Sequence, residues 1–358
     1  MTRLERLRLS LEQQGIEGLL VSSPANRLYL SGFTGDSGFL LLTRSANWLL
    51  TDGRFVEQGK KEAPGFEVID LGQEPWKKMG EVVAEAGIKE LYFEEEHLTV
   101  AAHRRLAEAI EEWPRKVVLK ACSGLVEKLR RVKDVEELEL LQQAIAIADK
   151  AFEHILPYLR PGLKESEIAL ELEYFMRRRG ASGIAFPTIV ASGDRSALPH
   201  GTAGNRELQA GDLIVMDFGA VYKGYHSDLT RTVVLGPASA EQRRVYEIVW
   251  EAQRRALEGL RAGVPGRDID ALARRYIEEA GFQGCFSHGL GHGVGLEVHE
   301  GPTLNFRQEE PLEAGAVVTV EPGVYLPGWG GIRIEDIALV QNGSCQVLTR
   351  AAKEFMVL

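Results

Sequence analysis

The chain repeats itself. LRPGLKESEIALELEYFMRRRG (159–180) aligns with LRAGVPGRDIDALARRYIEEAG (260–281) at a constant offset of 101. Leu159/Leu260, Arg160/Arg261, Gly162/Gly263, Ile168/Ile269 and Gly180/Gly281 are identical. Each copy reads as a turn, a helix and a glycine suited to the helix C-terminus. A long helix opening at Ser239, with Gln242 three residues on as in a capping box, precedes the second copy. The repeat continues into strands: AGDLIVMDFG (210–219) matches AGAVVTVEPG (314–323), and YHSDLTRTVVL (225–235) matches IRIEDIALV (332–340). Asp217 thereby falls on Glu321 and Asp228 on Glu335. Two such helix-and-hairpin halves can bury their apolar faces together about a pseudo-twofold axis. The expected result is a curved, mainly antiparallel sheet around a central site, with one carboxylate on each of four strands.

Register decides how those acids meet, because facing residues in an antiparallel hairpin keep a constant index sum. A turn at Tyr222-Lys223 would set Asp217 directly opposite Asp228. A turn at Lys223-Gly224 would leave them diagonal on one face. In the second hairpin a turn centred on Gly328, inside PGWGG, opposes Glu321 and Glu335. Opposed carboxylates stand about 5 Å apart at Cβ, and like charges there are destabilising. Two divalent cations balance four carboxylates. Solvated strand faces or shared protons are the alternative, and the apolar flanks LIVMDF and VVTVEP argue against it.

The segment CFSHGLGHGVGLEVHE (285–300) adds His288, His292 and His299. Its alternating glycines oppose a helix, so an extended or looping strand is expected, with only some histidines on metal. One imidazole among four carboxylates is an oxygen-rich set. It favours Mn²⁺, with Co²⁺, Fe²⁺ or Zn²⁺ possible.

Ahead of the repeat, residues 1–122 alternate helical and strand-like runs, which predicts an N-terminal α/β domain with a parallel or mixed sheet. A linker is expected at 123–130 and a second domain over 131–358. The formal charge is −10 with no Lys/Arg block, which argues against nucleic acid and anionic membrane as partners. The opening MTRLERLRLSLEQQG reads as an amphipathic helix and not a signal peptide. Three scattered cysteines suit a reducing, cytoplasmic setting. SGFTGDSG (31–38) lacks the lysine of a phosphate loop and reads as a turn. The pairs Arg243-Arg244, Arg254-Arg255 and Arg274-Arg275 read as solvated helix faces.

The ordered set PHG, MDFG…SDLTRT, HGLGHGVGLEVHE, VEPGVY and GIRIED resembles the pita-bread dinuclear metallopeptidases, in particular their Xaa-Pro branch, aminopeptidase P and prolidase. SPANRLYLSGFTGDSGFLLLT and TDGRF extend the resemblance into a creatinase-like N-terminal domain. It implies two divalent ions held by Asp217, Asp228, His292, Glu321 and Glu335, with Asp228 and Glu335 shared. It implies His200 and His299 as substrate-side histidines, and Glu321 as the proton carrier to the leaving nitrogen. His288 and Arg333 would line a proline subsite, with Tyr325 nearby. The implied reaction is hydrolysis between an N-terminal residue and a following proline, in a homodimer. A methionine-aminopeptidase-like enzyme and a non-catalytic binding protein on the same fold are the alternatives. Thr303 stands where some prolidases carry arginine, which weakens the dipeptidase form. Strand alternation sets Arg333 on the face of Glu335, where it would hold either a metal-binding carboxylate or a substrate carboxylate.

Overall fold

Leu19-Leu20-Val21, Leu40-Leu41-Leu42 and Leu49-Leu50 are too uniformly apolar to leave one strand face in water, and all are buried. They form the centre of a six-stranded sheet in the first of two units, Met1–Arg130 and Arg131–Leu358. The structure is a computed structural model and describes all residues, Met1–Leu358.

Strands β1 (Gly18–Val21), β2 (Phe39–Thr43), β3 (Asn47–Thr51), β4 (Glu67–Asp70), β5 (Glu90–Glu94) and β6 (Val118–Cys122) lie in the order β4-β3-β2-β1-β5-β6. Strand β2 runs antiparallel to β1 and β3, and the other pairs are parallel. The sheet is therefore mixed. The first helix, Arg3–Gln13, starts with a Thr2/Glu5 capping box and buries Leu7 and Leu11. Residues 123–130, expected as a linker, are largely taken up by the helix Leu125–Arg131, which buries Leu125, Val126 and Arg130. SGFTGDSG wraps a buried guanidinium: Arg27 donates to the carbonyls of Gly35 (3.1 Å) and Gly38 (2.6 Å).

In the second unit the duplication is visible in the backbone. Helices Glu165–Arg178 and Gly266–Glu279 begin and end at matched positions. Gly162 and Gly263 have φ of +87° and +85°, and Gly180 and Gly281 have +101° and +98°. Only glycine adopts such angles cheaply, so these identities in the repeat are conformational. A long helix precedes each copy, Val135–Ile155 and Ala240–Gly259, and each opens with a capping box.

The remaining strands are β7 (Gly183–Ile184), β8 (Ile189–Ser192), β9 (Leu213–Phe218), β10 (Ala220–Tyr222), β11 (Tyr225–His226), β12 (Leu229–Val234), β13 (Gly291–Gly293), β14 (Glu300–Leu304), β15 (Val317–Val320), β16 (Gly323–Leu326), β17 (Gly330–Arg333), β18 (Asp336–Val340) and β19 (Cys345–Val347). The first half forms β11-β10-β7 and β12-β9-β8, the second β14-β13-β15-β18-β19 and β16-β17. Every strand pair of this unit is antiparallel. Each half packs its own apolar core against its helices, one around Phe152, Leu172 and Phe218, the other around Val249, Ile277 and Ile332.

Register follows the turns. Thr230 faces Asp217, and Tyr222 faces Tyr225. The first hairpin thus turns at Lys223-Gly224, both with positive φ (47° and 87°), which matches strand twist. Asp217 and Asp228 are diagonal, not directly opposed. In the second hairpin Val320 faces Asp336 and Gly323 faces Arg333, so Glu321 and Glu335 oppose each other in the gap between ladders. No helix is long and apolar enough to cross a membrane.

Candidate metal centre

Strand β9 delivers Asp217, the residue before β12 is Asp228, and the residue before β18 is Glu335. One side-chain oxygen from each lies within 4.8 Å of the other two. Two acceptors among them, Asp217 Oδ1 and Glu335 Oε1, are buried without a hydrogen-bond partner. Burial, and then mutual repulsion, hold Asp228 and Glu335 well above the usual carboxylate range. Asp217 is raised by burial, against the charge of Arg333. Three packed acids with orphaned oxygens are costly alone. A hard divalent cation removes both costs, and the donor set fits one.

His292 extends the cluster. Its Nδ1 lies 3.1 Å from the carbonyl of Gly293, which leaves Nε2 as the outward nitrogen. Nε2 is 3.3 Å from Glu321 Oε1 and 3.6 Å from Asp228 Oδ2. Asp228 thus joins both groups of ligands. Burial opposes charge on His292, but Glu321 outweighs it and raises the imidazole above its ordinary value. Burial would raise Glu321 too, yet His292 draws it down to about 2. Thr319 Oγ accepts from the His292 amide (3.0 Å) and donates to Glu321 Oε1 (3.0 Å). All five residues singled out as ligands meet in one place.

Arg333 is 3% exposed. It donates through Nη2 to Asp217 Oδ2 (2.6 Å), through Nη1 to the Tyr325 hydroxyl (2.8 Å) and the Pro199 carbonyl (3.1 Å), and through Nε to Thr230 Oγ (3.1 Å). Of the two partners open to it, the structure shows the carboxylate of Asp217. Burial pushes Tyr325 up to about 12, so its hydroxyl keeps its proton. That proton goes to His288 Nε2 at 2.8 Å, and His288 Nδ1 donates to the Gly289 carbonyl at 2.8 Å. Burial keeps His288 neutral. The chain Arg333–Tyr325–His288 therefore has one direction.

The cluster opens into a cavity of about 460 Å³ with Phe186, Pro187 and Ile189 as its apolar wall and His200, His299 and Asn305 also lining it. His200 and His299 are exposed there. The His299 ring packs edge-on to His292, 4.3 Å between centroids, and the partial burial of the ring, together with the charge of His292, lowers its pKa.

Several supporting residues escaped the sequence reading. Thr230 donates to Glu335 Oε2 at 2.7 Å. Arg274, expected on a solvated face, instead pairs with Asp270 and donates to the carbonyls of Phe286 and His288, both at 2.7 Å. Its i,i+4 pairing with an acid was the available signal; the carbonyl partners were not readable.

Comparison with known proteins agrees with this geometry. The family model for metallopeptidase family M24 matches residues 139–342, and that for the creatinase/prolidase N-terminal domain matches residues 3–132. A protein named Xaa-Pro dipeptidase from Pyrococcus furiosus is 36% identical, over 99% of both chains. A solved structure described as Xaa-Pro dipeptidase from Bacillus anthracis superposes with a TM-score of 0.96 at 45% identity, covering 99% of both chains. One described as X-Pro aminopeptidase from Thermotoga maritima MSB8 gives 0.92 at 42%, covering 100% of both. The expected architecture, a creatinase-type α/β domain followed by a pita-bread domain, is the one observed. A buried carboxylate cluster on a duplicated hairpin scaffold, with these two domains matched in order, places the chain in metallopeptidase family M24, the metal-dependent peptidases.

Proposed function

We propose that this chain is an Xaa-Pro peptidase, hydrolysing the bond between an N-terminal residue and a following proline. One observation carries the reading: Asp217, Asp228 and Glu335 converge with two orphaned carboxylate oxygens, and Asp217 and Asp228 line a cavity with His292, Glu321 and an apolar wall. The names of the relatives supply the substrate class.

Asp217, Asp228, His292, Glu321 and Glu335 would hold two divalent ions, with Asp228 and Glu335 shared. When bound, such ions polarise the scissile carbonyl and acidify a water to near-neutral pKa. Manganese is the proposed native metal, on the oxygen-rich donor set.

The remaining steps belong to the protein. His200, at the cavity mouth, donates a hydrogen bond where negative charge develops on the carbonyl oxygen. Glu321, kept ionised by His292, accepts a proton and delivers it to the proline nitrogen. His299, also in the cavity lining, orients the substrate. Proline's nitrogen carries no hydrogen in the peptide, so selection rests on shape. The apolar wall of Phe186, Pro187 and Ile189 suits a pyrrolidine ring. The free amine of the first residue sits beside the cluster at the closed end of the substrate, which limits cleavage to chain ends.

A cytoplasmic homodimer completes the proposal: three free cysteines support a reducing compartment, the family resemblance supports the dimer, and sedimentation velocity tests it. The deciding assay compares Xaa-Pro, Xaa-Pro-Xaa and Met-Ala peptides with Mn²⁺-loaded protein. Cleavage of proline peptides is expected, and its rate on the two lengths separates dipeptidase from aminopeptidase. Preference for Met-Ala would overturn the reading.

A further inference from the structure

Behind the two glutamates lies a second polar layer. Gln253, fully buried on the helix Ala240–Gly259, donates through Nε2 to the carbonyls of Val320 (3.1 Å) and Ile334 (3.2 Å). Each of those residues immediately precedes a cluster glutamate. The ladders stop there: Val320 pairs with Asp336 and Gly323 with Arg333, leaving the stretch between them outside both. One side-chain amide thus ties the two strands where they carry Glu321 and Glu335.

Gln253 is itself held. Its Oε1 accepts from Lys353 Nζ at 3.0 Å, and the same ammonium pairs with Asp336. Arg231, the largest fully buried side chain, donates to the other Asp336 oxygen (2.8 Å) and to the carbonyls of Thr230 (2.9 Å), Glu335, Ala351 (2.8 Å) and Ala352 (3.0 Å). The segment supplying these last carbonyls is fixed on its far side by Asp149, which accepts the amides of Arg350 (3.0 Å) and Ala351 (2.9 Å). Apolar side chains would fill this space without fixing a distance. A saturated polar network fixes one.

Building on the metal-site reading above, we infer that Gln253, Arg231 and Lys353 are positioning residues that set the spacing of Glu321 and Glu335, so that docking of residues 350–353 and divalent-ion binding are coupled. By linkage each strengthens the other. The test uses the full chain and Lys353→Met, whose lysine side chain is 30% exposed and can be removed without opening the core. Lys353→Arg is the conservative control and Gln253→Met the second probe.

Mn²⁺ affinity by calorimetry, the ligand-field spectrum of Co²⁺-substituted protein, and hydrogen exchange at 350–353 are the readouts. Both Met variants should bind Mn²⁺ about tenfold more weakly and shift the Co²⁺ spectrum, the lower end of the effect of losing outer support around metal ligands, because the bonds lost hold the residues just before Glu321 and Glu335 and not the ligands themselves. Lys353→Arg should restore both, and Mn²⁺ should slow exchange at 350–353 in the unaltered protein. An unaltered protein that takes up neither ion sinks the metal reading and this inference together. One that binds Mn²⁺, while the Met variants bind it equally with the same Co²⁺ spectrum, overturns this inference alone.

Discussion

Arg333 Nη2 stands 2.6 Å from Asp217 Oδ2, while Asp217 Oδ1 is buried with no hydrogen-bond partner. One carboxylate is divided between two duties, with one oxygen taken by a guanidinium and the other left for a cation. The same guanidinium must also reach Tyr325, Pro199 and Thr230, which a single ammonium cannot do. Arg333→Lys should therefore lower metal affinity and kcat/KM by about 10–100-fold. Arg333→Met should in addition destabilise the metal-free protein by about 3–5 kcal/mol, because it strands a buried charge. Metal titration and calorimetry check both, and wild-type affinity in Arg333→Lys would count against this division.

Asp228 sits where Glu335, Asp217 and Glu321 all oppose its ionisation. Asp228→Asn keeps the shape and removes the repelled charge. Metal uptake and peptidase activity should both fall below detection. The metal-free variant should nonetheless melt higher than metal-free wild type at neutral pH. Elemental analysis and scanning calorimetry give the two readings; a variant that keeps its metal and activity would remove Asp228 from the centre.

The register of the second hairpin and the start of the helix at Ser239 were legible because local chemistry fixes them, a glycine-rich turn in one case and a capping box in the other. The first hairpin was legible only to within two alternatives. Its turn uses Lys223 at φ 47°, and a lysine does not announce a left-handed position. The four cluster acids were legible because duplication pairs Asp217 with Glu321 and Asp228 with Glu335, whereas His292 was separated from His288 and His299 only by the family resemblance. Gln253, Arg231 and Lys353 were not, since each looks like an ordinary helix, strand or tail residue until strands a hundred positions apart close on it. Arg274 failed for the same reason: helical spacing reports the acid beside it and not the carbonyls it serves.

The pKa values in the cluster give the metal-free protein a definite pH response. Asp228 and Glu335 are raised by burial and by each other's neighbours, and His292 is raised by Glu321 against burial. At these three groups the folded metal-free protein holds more protons than the unfolded chain, so their contribution to stability is full below the ordinary values and is lost as pH rises through the raised ones. His288 and His299, lowered by burial, act oppositely up to the ordinary imidazole value of 6.5. Glu321, lowered to about 2, also acts oppositely, and only between about 2 and its ordinary 4.5. Saturating Mn²⁺ should reverse the upper slope, because the ligands bind it deprotonated. Urea unfolding at a series of pH values, with chelator and with Mn²⁺, measures this; parallel curves in the two series would contradict it.

The loop carrying His288 and His292 depends on an ion pair one layer away. Asp270 is almost fully buried and accepts from Arg274 Nε and Nη2, both at 2.8 Å, and from the Leu290 amide at 3.0 Å. Arg274 also caps the carbonyls of Phe286 and His288. Arg274→Met releases both carbonyls and leaves Asp270 with one donor, so a loss of about 3–5 kcal/mol is expected from the broken buried pair. Adding Asp270→Asn should recover part of that loss, since no unpaired charge remains, while the freed carbonyls stay free. Activity should then separate from stability: the double variant regains part of the lost melting temperature but keeps a raised KM, because the His288 carbonyl is no longer held. A double variant with wild-type KM would show that the Asp270–Arg274 pair serves the fold alone.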